Sequence, residues 1–185
     1  MIQGRIVVLG ALGIAVAMSA FAWLFHYQAG HRTAAFWGPE AAQLLLDAPQ
    51  AILWQLGDAQ PVTDPATAPP EPNPDSPPGT TIAHREVLQR RDFSQAPGLI
   101  HFRHALTQDA NFQWDQHRVR PAELGDWSLA IQFTDPRRGQ ELLILLDAEA
   151  QYLGRYRPAD DQVDQLPIPR MGPALLAFLR AEAGL

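Results

Sequence analysis

Two histidines three residues apart, His101 and His104, are the side chains best suited by type and spacing to do chemistry. Positions i and i+3 of a helix share a face, and neutral imidazoles are good ligands for zinc and similar metals. The segment that carries them, 94–110 (SQAPGLIHFRHALTQDA), has the marks of a helix: Ser94 near the N-cap, Pro97 in the first turn, and Leu99, Phe102, Leu106 and Ala110 as a buried stripe. That stripe turns both histidines to the other side of the helix. His84, Asp109, Asp115 and His117 are near enough in sequence to supply further ligands, but no H-E-x-x-H or comparable spacing joins them. The plainer reading is a polar helix face whose histidines bond to neighbouring backbone or a loop, and between the two stands a pH-responsive surface, a role that suits histidine in general.

Other catalytic arrangements find less support. Each of the four serines has a duller role: Ser19 in an apolar run, Ser76 in a proline-rich stretch, Ser94 as a cap, Ser128 on the polar face of a strand. The absence of Cys removes thiol nucleophiles and disulfides, and the absence of Lys removes Schiff-base chemistry and a P-loop lysine. Asp160, Asp161 and Asp164 read as a solvated charge run. Arg118 with Arg120, and Arg155 with Arg157, would share a face if extended, and guanidiniums suit carboxylate or phosphate. Ordinary surface pairing with the nearby acids is the stronger explanation. A net charge of −6 without a basic block argues against nucleic acid as a partner, and no residue pattern calls for a cofactor.

The elements that would position these residues follow from patterning. Ile6 to Phe25 is a 20-residue run with 17 apolar residues and no charge, preceded by Arg5 and followed by Tyr27. It reads as a transmembrane helix, a signal anchor after a short tail 1–5 and before a connector 26–37. Ala20-Phe21-Ala22 matches a cleavage pattern, but the apolar run continues through Trp23, Leu24 and Phe25, which favours an uncleaved anchor. Gly13 and Ala17 form a small-xxx-small pair that would let two helices approach, a route to a homodimer. The basic N-terminal tail predicts a single-pass protein of a bacterial cytoplasmic membrane with its C-terminal part exported.

From 58 to 79 the chain holds eight Pro and four acids, with no basic residue. This predicts an extended, solvated insertion within one domain, 38–185, and it contains a P-x-x-P match at Pro69–Pro72. Around it, helices are expected at 39–48, with Pro39 at its first position, and at 173–183, with Leu175, Phe178 and Leu179 facing the sheet. Strands are expected at 51–56, 80–91, 127–134, 142–146 and 152–156. Alternation puts Trp127, Leu129, Ile131 and Phe133 on one face, while 142–146 (LLILL) is apolar on both and reads as central. The order predicts an α+β domain with an antiparallel sheet of four to five strands and about three helices behind the membrane helix.

Two stretches carry a resemblance. Ala96-Pro97-Gly98-Leu99-Ile100-His101 through Arg103-His104-Ala105-Leu106, with Asp109 and Phe112-Gln113-Trp114, is one, and Phe36-Trp37-Gly38-Pro39-Glu40-Ala41-Ala42 is the other. Together they resemble a family of uncharacterised bacterial single-pass membrane proteins. The resemblance implies location and architecture and transfers no catalytic residue. The expected function is a membrane-anchored, non-enzymatic binding or scaffold domain that contacts the bilayer through 6–25 and a protein or other ligand through its folded part. The alternative is a small hydrolase or metal-dependent enzyme centred on His101 and His104.

Overall fold

The computed structural model describes residues 12–23, 31–59 and 81–183. The first helix, α1 (12–23), is almost wholly apolar and exposed along its length, with Leu12, Ile14, Val16, Met18, Phe21 and Trp23 between 62% and 71% accessible. Among the described residues no helix is long and apolar enough to cross a membrane. That finding overturns the single-pass, signal-anchor reading of Ile6 to Phe25, and the inner-membrane location inferred from it loses its footing. Ile6 and Phe25 themselves lie outside the described residues, as does most of the proline-rich insertion.

Helix α2 (His31–Asp47) starts earlier than expected and turns part of the supposed connector into helix. It is kinked at Gly38, whose φ of 75° and ψ of 163° fall in a region open essentially only to glycine. Pro39 then opens the second half, where its fixed φ suits a first turn and its missing N–H costs nothing. The early start has a remote cause. The backbone N–H groups of Arg32 and Thr33 donate to the Asp109 carboxylate at 3.2 and 2.8 Å, and the Thr33 hydroxyl donates to it as well. A cap supplied from 76 residues downstream leaves no local signature.

Eight strands form one antiparallel sheet: β1 (Gln50–Ala59), β2 (Thr81–Ile82), β3 (Arg85–Asp92), β4 (Arg118–Pro121), β5 (Trp127–Asp135), β6 (Gln140–Asp147), β7 (Tyr152–Arg157) and β8 (Gln162–Pro167), in the spatial order β2-β3-β1-β5-β6-β7-β8-β4. The sheet curls into a half-barrel. The α+β class and the three helices on the sheet stand, but the expected four to five strands become eight among the described residues, and the helix that precedes them is not a membrane span. The unforeseen strands are short or polar. β2 has two residues, β4 reads Arg-Val-Arg-Pro, and β8 begins in what looked like a charged loop. The expected strand 80–91 is instead a hairpin, broken by Ala83 and His84 at φ 49° and 62°. Two consecutive left-handed residues make a tight turn usually given to Asn-Gly.

Helices α2, α3 (Leu99–Ala105) and α4 (Gly172–Ala183) lie against one face of the sheet. There Trp37, Leu45, Phe102, Leu106 and Leu179 meet Leu53, Ile131, Phe133, Ile144 and Leu153 in the larger core. The opposite, inner face buries Leu56, Val87, Ala130, Leu145 and Val163 around Trp127. Trp127 is on this face because of a bulge. It pairs with Asp147 while Leu129 pairs with Leu146, so two steps on β5 match one on β6 and the alternation changes phase. Strand β6 feeds both cores, as its doubly apolar sequence requires.

Helix α3 is shorter than its sequence suggested. Ser94 does not cap it but bridges strands, accepting from the Ala51 N–H at 2.8 Å and donating to Asp92 at 2.6 Å. Leu99, Phe102 and Leu106 are buried as expected, whereas Ala110 is exposed.

Candidate functional site

The structure separates the residues that the sequence put forward as metal ligands. His101 and His104 are both exposed on α3, and only His101 lines a cleft. Asp109 is occupied in capping α2. Asp115 is exposed, His117 stands 3.8 Å from Asp164 across β4 and β8, and His84 is taken up by Asp161. Among the described residues no group of three or more His, Asp or Glu is placed to hold a metal ion.

His84 belongs to a contact between distant strands. Its Nε2 lies 2.6 Å from Asp161 Oδ2, and the Tyr156 hydroxyl donates to Asp161 Oδ1 at 3.0 Å. The hydrogen bond from His84, followed by that from Tyr156, holds the Asp161 carboxyl below the usual range. Burial, then the bond to Asp161, pushes the Tyr156 phenol up to about 12, so it remains a donor at neutral pH. Beside this contact, buried Arg85 donates to the Gly57 carbonyl at 3.2 Å and to the Gly125 carbonyl at 2.8 Å, and pairs with Asp126. These bonds join the β2–β3 hairpin to the β7–β8 turn and the β4–β5 connection. They close the half-barrel with side chains where no strand ladder does. A histidine–carboxylate pair can serve a nucleophile, but among the described residues no serine hydroxyl is bonded to it.

Two surfaces have the form of binding sites. The first is an apolar cleft of about 270 Å³ between α3 and α4, lined by His101, Phe102, Ala105, Met171, Leu175 and Phe178. Phe93, the residue after β3, is a ring neighbour of both Phe102 and Phe178 at 6.4 and 6.5 Å, so the cleft adjoins the end of that strand. The second is a groove of about 590 Å³ beside β6 and β7. Its arginines are already engaged, Arg155 with the Phe36 carbonyl at 2.9 Å and Arg157 with Asp160 and Asp164. Sequence reasoning missed the cleft, since Met171 to Phe178 and Gly98 to Ala105 read only as two separate helix stripes. His101 was the one member it singled out.

The fold and the cleft define a curved antiparallel sheet roofed on one face by helices, with an apolar opening between two of them. Compared with protein families, characterised proteins and solved structures, the chain matches none.

Proposed function

We propose that this domain is a non-catalytic binding module whose α3–α4 cleft receives an apolar group of its ligand. One observation carries the reading: between packed helices, the walls of Phe102, Met171, Leu175 and Phe178 stand open around about 270 Å³ of space. Ligand sites are typically concave and largely apolar with a few polar groups for orientation, and here His101 provides one at the wall. Met171 adds an adaptable, polarisable surface.

Methyl NMR tests this directly, because the chain has only three Met. Titration with indole as a small apolar probe should shift the Met171 methyl saturably and leave Met18 on the exposed α1 helix with a linear, weaker response. Ala174→Trp, at an exposed position on the cleft wall, should abolish the saturable shift without lowering the melting temperature. Equal shifts at Met171 and Met18, or an unchanged titration in Ala174→Trp, would refute the reading.

A further inference from the structure

The outer side of β3 is an open sheet edge. β2 covers it only at Arg85 and Glu86, and on that side no described strand pairs with Val87 to Asp92. After the irregularity at Leu88, Gln89, Arg90, Arg91 and Asp92 are in regular register with Gln55, Trp54, Leu53 and Ile52 of β1. Their outward backbone groups therefore lie in the geometry of a strand awaiting a neighbour.

The side chains along this edge select among occupants. Arg90 lies on the inner face with its guanidinium 5.4 Å from the centre of the Trp54 ring, and Arg91 lies on the helix-covered face. Both are exposed, and so is Leu88. The Asp92 carboxylate accepts from the Ser94 N–H and hydroxyl at 2.9 and 2.6 Å and shares a face with Arg90, whose charge it feels only as a smaller effect, so among the described residues no ion pair holds either arginine. Arginines on a strand edge guard against self-pairing. A second copy paired antiparallel about a two-fold at Arg90 or at Arg91 would put that arginine opposite its own copy, like charge against like charge. A strand with two consecutive acids has the opposite fit, because neighbouring residues of a strand point to opposite faces and so meet one arginine each.

We propose that the β3 edge is a docking surface for an extended partner segment bearing two adjacent carboxylates, which adds as a further antiparallel strand and sets its acids against Arg90 and Arg91. An apolar residue beside the acids would lie along Leu88. This surface is separate from the α3–α4 cleft and does not depend on it.

Fluorescence anisotropy with labelled nine-residue peptides tests the proposal on the full chain. The acidic probe TVTVEDLTV should bind at least tenfold more tightly than TVTVKKLTV at low ionic strength, and the difference should shrink with added salt. A prolyl version that keeps both acids, TVPPEDPPV, should lose at least tenfold, since it cannot complete the ladder. The double variant Arg90→Glu/Arg91→Glu should reverse the preference in favour of the lysine peptide while its melting temperature and circular dichroism stay as in the parent, which separates the reversal from misfolding. Three results would overturn the proposal: equal binding of acidic and basic peptides, undiminished binding of the prolyl peptide, or a dimer of the unliganded protein whose amide protection covers Gln89–Asp92. The last would assign the edge to a second copy.

Discussion

Replacing Gly154 by alanine should destabilise the protein, although a glycine inside a strand is ordinarily a weak point. In an open strand, alanine would gain about 0.5–1 kcal/mol by restricting the unfolded chain. Gly154 lies in β7 on the inner face, where a Cβ would come 2.3 Å from Val163 Cγ1 and 3.0 Å from Trp127 Cη2. Both neighbours are fully buried, so neither can swing away into solvent. Overpacking costs about 1–3 kcal/mol, and an approach of 2.3 Å to a fixed neighbour belongs in the upper part of that range, about 2–3 kcal/mol, which leaves a net loss of about 1–2 kcal/mol. For a chain of this size the melting temperature should fall by about 2–8 °C. The companion change Val163→Ala removes roughly two methylenes' worth of buried surface and leaves a void, for about 2–3 kcal/mol. In the double variant the new methyl occupies the space that Val163 vacated. The combined loss should therefore be smaller than the sum by about 1 kcal/mol or more. Urea unfolding followed by tryptophan fluorescence measures all three variants. A neutral or stabilising Gly154→Ala, or strict additivity in the cycle, would refute the inner-face packing on which the reasoning rests.

Other expectations follow from the same structure. Asp109→Ala should cost about 1–2 kcal/mol by uncapping α2, and Arg103→Met should cost about 1.5–3 kcal/mol because Arg103 donates to the Leu46 and Ala48 carbonyls, both at 2.7 Å; circular dichroism during thermal unfolding reads both. The Asp161 carboxyl is held below its ordinary value of 3.8 in the folded protein, so its contribution is present above that pH and is lost as pH falls through the lower folded value. Asp161→Asn should consequently flatten the acid limb of a urea-midpoint profile below about pH 4.

Much of the sheet was legible because burial imposes a period. The apolar run of β6, the alternation in β5 and the Leu175 and Leu179 stripe of α4 each report a face that must be dry. What escaped depends on partners remote in sequence. β4 and β8 become strands by pairing with each other and with β7, and their Arg, Asp, Gln and Pro residues carry little intrinsic signal. Trp127 was assigned to the wrong face because alternation cannot register a bulge before its partner strand is known. The membrane reading failed differently. The length of the uncharged apolar run and its flanking residues suggested a span for Ile6 to Phe25, but among the described residues no helix is long and apolar enough to cross a membrane. For the site, His101 and His104 were prominent by type, yet the cleft is made of side chains whose types say only core. The β3 edge was hidden for a further reason: openness is a property of the missing neighbour, and two exposed arginines look like any solvated pair.

Both ends of α2 are closed by residues from the segment around α3, Asp109 at the start and Arg103 at the finish, while Trp37 in the middle donates to the Leu106 carbonyl at 2.9 Å. The two helices are thus one cooperative folding unit formed from sequence neighbourhoods some 60 residues apart, with β1 and the β2–β3 hairpin threaded between them. Helix α2 cannot complete its hydrogen bonding during synthesis until residue 109 has left the ribosome, so the first half of the chain must wait for the second.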